Sequence, residues 1–186
     1  FKLSPVSLNE SLCQLLNPNY QAGKNTTLNS MNCLLEFVSA NPTGPLHIGH
    51  GRWVALGDSI ARILQHCGAT VTREFYMNDA GSQIKNLSMS VWYRCLEIKN
   101  TGVTFPTPVE GEKFPYYPGE YIKDIAQAFL AEHATEFEQY LSLPDIHHPP
   151  EEILDLIKTF AIVTVVKEQQ ALMKTCGLVF DNWFSE

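Results

Sequence analysis

Two histidines, His47 and His50, flank Gly49 directly after a Pro/Gly turn, in the run Glu36-Phe-Val-Ser-Ala-Asn-Pro-Thr-Gly-Pro-Leu-His-Ile-Gly-His-Gly51. Apolar residues lead into the turn and a long amphipathic segment leaves it. Strand, turn and helix in that order set backbone N–H groups and a helix N-terminus against a phosphate. Imidazoles at this spacing can donate hydrogen bonds to phosphate oxygens, and Gly49 carries no side chain to hold a nucleotide away. Capping the helix or filling a polar pocket is the competing role for the same two histidines. A zinc site on His-x-x-His needs further ligands, and none is spaced nearby, so no metal ligand is assigned.

The elements that must position these residues follow from periodicity and punctuation. Residues 1 to 32 are polar, with a short helix from Ser7 to Leu16 and turn signals at Asn17-Pro-Asn and Gly23-Lys-Asn-Thr-Thr. Cys33 to Ser39 reads as a strand, buried on both faces if central in a parallel sheet. From Gly49 to His66, Val54, Leu56, Ile60, Ala61, Ile63 and Leu64 recur at helical spacing, and Gly68 ends the helix. Thr70 to Met77 is a second strand, β-branched and aromatic. Asn78-Asp79 is placed to cap a helix from Ala80 to Lys99. Pro106, Pro108, Pro115 and Pro118 make 101 to 118 a loop. Glu120 to His133 is helical, Leu143 to Pro150 a linker, and Glu151 to Cys176 a long helix closed by Gly177. Leu178 to Trp183 returns as a strand. The order predicts an α/β fold, a parallel sheet carrying a mainly helical insertion.

Bulk properties narrow the classes. The chain has 186 residues, 45% of them hydrophobic and 11% aromatic, enough for one well-cored domain. No apolar run approaches the roughly 20 residues that span a bilayer, so no membrane partner is expected. The net charge of −7 has the wrong sign for gripping nucleic acid over a broad surface, though a local pocket for an RNA end remains open. Five scattered cysteines without a Cys-x-x-Cys pair point to a reducing, cytoplasmic setting. The first residues, Phe1-Lys-Leu-Ser-Pro, lack an initiator Met and any signal-peptide pattern, and read as an excised interior piece.

At the histidine turn the chain resembles the class I aminoacyl-tRNA synthetases, whose N-terminal signature is His-Ile-Gly-His. The longer string from Glu36 to His47 is similar to the bacterial-type arginyl-tRNA synthetase version. Three further blocks follow in family order: Arg73-Glu-Phe-Tyr-Met-Asn78-Asp-Ala-Gly81-Ser-Gln83-Ile, Tyr117-Pro-Gly-Glu-Tyr121-Ile-Lys-Asp-Ile-Ala126, and Phe180-Asp-Asn-Trp-Phe-Ser-Glu186. The resemblance therefore covers nearly the whole chain. It implies a Rossmann-like catalytic domain whose first half is residues 33–100, preceded by the end of an N-terminal domain at 1–32. It further implies an insertion at 101–150 and a return helix and strand at 151–186.

The implied activity is arginine–tRNA ligation: ATP activates L-arginine, and the adenylate is passed to the 3′-terminal ribose of tRNA for arginine. ATP with Mg2+ is the implied cofactor pair, Mg2+ having no protein ligand assigned, and a monomer is expected. His47, Gly49, His50 and Gly51 are implied as ATP contacts, with His47 and His50 catalytic as phosphate donors. Glu36, Ser39 and Asn41 are implied to line the arginine pocket; a carboxylate suits a guanidinium through two parallel hydrogen bonds. Each keeps a plainer alternative: a solvent-facing charge for Glu36, a hydroxyl bonding its own backbone for Ser39, turn geometry for Asn41. Asn78, Asp79 and Gln83 serve either as ATP or tRNA-end contacts or as a helix start. Tyr117 to Tyr121 is weighted toward packing, Asp58 toward structure, and His147-His148 toward a solvated linker. Trp53 departs from the family, where a small residue is frequent.

The second signature loop, Lys-Met-Ser-Lys, is absent, as is an anticodon-reading helical domain. The isolated chain is therefore expected to be inactive. The competing function is a catalytically silent synthetase-like module that binds arginine or a nucleotide. A nucleotidyltransferase sharing only the His-x-Gly-His turn is a third class.

Overall fold

The computed structural model describes residues 2–111 and 113–186. In chain order the elements are α1 (Pro5–Leu15), β1 (Asn32–Glu36), α2 (Ile48–His66), β2 (Thr70–Met77), α3 (Ser82–Ile98), α4 (Glu120–Glu132), α5 (Ala134–Glu138), α6 (Glu151–Thr175) and β3 (Asn182–Ser185). The three strands form one sheet in the order β1-β2-β3, parallel throughout, with Leu35 opposite Arg73 and Phe75 opposite Trp183. This is the α/β parallel architecture expected. No helix among the described residues is long and apolar enough to cross a membrane.

The β-branched and aromatic run of β2 takes the central position because it alone finds partners on both edges. Its inward residues Phe75 and Met77 pack with Phe37, Met173, Leu178 and Phe180, while Val71 packs with Ala61 and Ala69. On the opposite face Leu34 and Phe184 stay exposed, and Tyr76 stacks on Phe184 at 5.6 Å.

Several boundaries differ from the sequence reading. Strand β1 stops at Glu36 rather than Ser39, and among the described residues it pairs on one side only, with residues alternately exposed and half-buried. The physical reason is the backbone at Val38 (φ 70°) and Ser39 (φ 43°), which turns left-handed and ends the ladder. The Ser39 hydroxyl then accepts the Tyr76 N–H at 3.2 Å, replacing the carbonyl that an extended strand would have offered. Strand β3 starts at Asn182, not Leu178. Leu178 and Phe180 are spent on the core, and Asp181 locks the entry: its carboxylate accepts from Arg73 N (2.7 Å) and its N–H donates to Arg73 O (3.0 Å).

Helix α3 is capped by Gly81, not by Asn78 or Asp79. Gly81 sits at φ 82°, ψ −168°, a region open in practice to glycine alone. Asn78 Oδ1 accepts from Ala80 N (3.3 Å), and Asp79 Oδ2 accepts from the Ser185 hydroxyl (2.6 Å). Helix α1 begins two residues early because Ser4 caps it, taking the Ser7 N–H at 3.1 Å, and Pro5 is preset for the first turn. The short α5, which the sequence pattern does not signal, carries Phe137 against Trp92, ring centroids 5.0 Å apart. Gly68 (φ 99°) and Gly177 (φ 72°) close α2 and α6 as expected.

Beside the sheet, α3 is packed between α4 and α6 around Leu87, Val91, Trp92, Leu96, Phe129 and Ile157. Trp92 is fully buried and donates from Nε1 to the Ile146 carbonyl at 3.0 Å. The proline-rich 101–118 segment is held by buried Arg94. Its guanidinium lies 3.9 Å from the Phe105 ring centroid, donates to the Pro118 carbonyl (3.2 Å) and pairs with Glu97 (2.7 Å). This body delivers Tyr117 and Tyr121 to the C-terminal edge of the sheet.

Candidate active site

Helix α2 starts at His47, and the two histidines build its N-terminus. His47 is the N-cap: its Nδ1 accepts the Gly49 N–H at 3.1 Å. His50 reaches back, its Nδ1 accepting the His47 N–H at 3.1 Å. The rings lie 4.0 Å apart at 35°. Helix starts leave N–H groups unpaired, and these imidazoles satisfy two of them where serine or aspartate usually would.

Of the two competing roles, capping is the one the fold displays, and it is compatible with the other. An imidazole whose Nδ1 accepts a hydrogen bond carries its proton on Nε2. Both rings therefore present an Nε2–H donor. Desolvation, and next the neighbouring His47, hold His50 below the ordinary value of 6.5, which keeps it a neutral donor.

Gly49 has a reason inside the fold. A Cβ there would stand 2.8 Å from His47 Cε1 and displace the capping ring. Gly51 has no such constraint, since a Cβ would meet only Ile48, at 3.9 Å. Arg52 lies over the Trp53 ring at 5.7 Å, and Trp53 is half-exposed, so it does not fill the helix start. Asp58 is structural, pairing with Arg62 (2.6 Å) and Arg73 (3.4 Å).

His47 and His50 line an open cavity of about 580 Å³ with Ser39, Asn41, Thr43, Gly44, Tyr117, Tyr121 and Gln169. That size suits a nucleotide or amino acid. Asn41 donates from Nδ2 to Gln83 Oε1 at 2.7 Å, bringing two residues from separate motifs together. Glu36 is not in this cavity. It is exposed at the end of β1, in register with Glu74. Asp79 and Glu36 both act on the Tyr76 hydroxyl, which is raised above 10 by desolvation, then by Glu186, then by those two carboxylates. The sequence-identified residues thus fall into two groups at the C-terminal edge of one sheet: Ser39, Asn41, His47, His50 and Gln83 around the cavity, and Glu36 and Asp79 around Tyr76. Asn78 joins neither; its side chain closes its own turn.

Tyr117, Tyr121 and Gln169 line the cavity without a site role in the sequence reading. The two tyrosines are weighted there toward packing, and Gln169 is one position of the long helix from Glu151. A glutamine on the buried stripe of α6 was the available signal. No group of three or more His, Cys, Asp and Glu suited to a metal is gathered among the described residues. All five cysteines are free thiols.

With this geometry in hand, comparison with known proteins is specific. A family model described as class I tRNA synthetases (R), catalytic domain, matches residues 11–101. The arginine–tRNA ligase of Tropheryma whipplei is 40% identical over 188 residues, covering 100% of this chain and 30% of the relative. That of Bordetella parapertussis is 39% identical over 189 residues, covering 100% and 31%. The chain thus spans about 30% of the length of the curated relatives it matches. Among solved structures, a Campylobacter jejuni chain described as an arginyl-tRNA synthetase superposes with a TM-score of 0.71 at 32% identity, over 98% of this chain and 37% of that one. The Thermus thermophilus arginyl-tRNA synthetase gives a TM-score of 0.54 at 24% identity, over 100% and 27%, a likeness of fold alone.

Proposed function

We propose that the chain is part of a class I arginyl-tRNA synthetase and supplies the first half of an arginine–tRNA ligase active site. The carrying observation is the state of the two histidines. With Nδ1 of each engaged by a backbone N–H, both Nε2–H groups are fixed donors at a helix N-terminus. Activation of arginine requires attack of its carboxylate on the α-phosphorus of ATP, with pyrophosphate leaving. Charge grows on phosphoryl oxygens during that step, and fixed donors stabilise it without reorganising. His47 and His50 are the residues assigned to this work.

Gly51 leaves room for the nucleotide beside the helix start. Ser39 and Asn41 hold the amino acid's polar end, and Glu36 takes its positive charge from the open end of β1. Asp79 and Gln83 extend the surface toward the nucleotide or the tRNA 3′ end. Mg2+ is assigned no ligand in the chain and arrives on the phosphates. The reading keeps residues 33–100 and 151–186 as catalytic domain, 101–150 as its insertion and 1–32 as the preceding connection. The partners are L-arginine, ATP and tRNA for arginine, the setting is cytoplasmic, and the protein is a monomer. No Lys-Met-Ser-Lys string occurs in these 186 residues, and no activity is expected from them alone.

The test is arginine-dependent ATP–pyrophosphate exchange by the full-length natural protein with its tRNA. Exchange that needs arginine and tRNA, and collapses in His50→Ala, supports the ligase. A folded protein without exchange overturns it, and the silent binding module takes its place.

A further inference from the structure

The buried stripe of α6 runs Ile153, Ile157, Ala161, Val165, Gln169, Met173 at four-residue intervals, and Gln169 is its one polar member. Gln169 is 1% exposed, and its Oε1 has no hydrogen-bond partner among the described residues. An uncompensated buried amide oxygen disfavours glutamine at a position where an aliphatic residue would pack freely. Something must offset that cost, and the amide nitrogen shows what does. Nε2 donates to the carbonyl of Gly44 at 3.1 Å and reaches that of Asn41 at 3.5 Å, across 125 or more residues of sequence.

A second side chain, from another helix, does the same to the residue between. The Tyr121 hydroxyl at the start of α4 donates to the Thr43 carbonyl at 2.9 Å. Its ring lies where a Cβ on Gly44 would fall, 2.9 Å from Cζ, so Gly44 lets the tyrosine seat against the turn. The carbonyls of Asn41, Thr43 and Gly44 are therefore held from two directions by the helical body. The next residues along the chain are Pro45, Leu46 and the capping His47.

We infer that Gln169 and Tyr121 are positioning residues that clamp the 41–44 turn, and through it set His47 and His50 for the phosphate. The inference rests on the proposed ligase reading for its catalytic consequence, but the clamp itself is a property of the fold. Neither residue touches the reacting atoms, so neither is a catalytic residue. Tyr121→Phe removes one hydroxyl and keeps the ring. Gln169→Met keeps the volume and removes both the donor and the orphaned oxygen, so the variant should fold.

Two readouts in the full-length protein separate the possibilities. Hydrogen exchange followed by mass spectrometry reports the clamp directly: amides of 41–51 should exchange about tenfold faster in either variant, with β2 protection unchanged. Arginine-dependent ATP–pyrophosphate exchange reports the consequence: kcat should fall about 10- to 100-fold with the unfolding midpoint unchanged, the scale expected for slight misplacement of a catalytic group. A lowered midpoint with unchanged kcat in the folded fraction would mean a merely structural role and overturn the inference. So would unaltered exchange at 41–51 in both variants. Should Gln169→Met fail to fold, Tyr121→Phe decides alone. An inactive wild-type protein sinks the ligase reading, and the hydrogen-exchange arm still decides the clamp.

Discussion

His47 and His50 complete each other's hydrogen bonding at the start of α2: the His47 N–H donates to His50 Nδ1, while His47 Nδ1 accepts from Gly49. One reciprocal cap thereby starts the helix, fixes both tautomers and orients two donors. Removing either ring should hurt folding and catalysis by separable amounts. His50→Ala should cost about 1 kcal/mol of stability, the usual worth of a helix cap. The same change should lower kcat for ATP–pyrophosphate exchange about 10²- to 10³-fold, as for loss of a fixed donor to developing charge. Chemical denaturation and exchange kinetics on one preparation measure both.

The pH dependence follows from the same bonds. His50 is held below 6.5 in the folded chain, so near and below that value the unfolded chain binds more protons. Its contribution to stability is fully present above 6.5, is lost as pH falls toward the folded value, and then levels off. Protonation also places hydrogen on Nδ1 and removes the His47 N–H bond, so activity should fall over the same window. Denaturation midpoints from pH 8 down to about 5 should decline in the wild type and decline less in His50→Ala.

Gly49→Ala places a methyl group against the His47 imidazole. The ring must move, the cap loosens, and exchange activity should fall about tenfold or more, since displaced catalytic groups are costly. Gly51→Ala meets only Ile48 and should leave the fold intact. A raised KM for ATP in Gly51→Ala would then report nucleotide approach rather than packing.

Glu36→Gln separates the two groups of site residues. Glu36 is exposed at the sheet edge, away from the histidine cavity. Its loss should raise KM for arginine about 10- to 100-fold, the range for a hydrogen bond to a charged group, and leave KM for ATP unchanged. Equal effects on both substrates would count against the arginine role.

Trp92→Ala tests the helical body. The side chain is fully buried between Phe137 and the Ile146 carbonyl. The change should destabilise by about 3–5 kcal/mol, as for large aromatic truncations. Substrate KM values of the folded fraction should not change.

Local order, and the likeness to known proteins, were determined by the sequence itself. The β-branched run at Thr70–Met77, the helical spacing after Gly49, and the glycines at 68 and 177 act through neighbours a few residues away, and the structure follows them. The His-Ile-Gly-His turn and the ordered blocks around it carried the resemblance for the same reason: each is a contiguous string. Tertiary structure decided whatever depends on residues far apart in the chain. The pairing of β1 with β2 depends on a strand more than thirty residues away, and periodicity inside β1 cannot report that. The Ser39 hydroxyl reaches Tyr76, and Asp79 reaches Ser185, because parallel strands bring distant ends together. Gln169 was hidden most completely. Its stripe position reads as core, and only packing of α6 against the 41–44 turn gives its amide two carbonyls to hold.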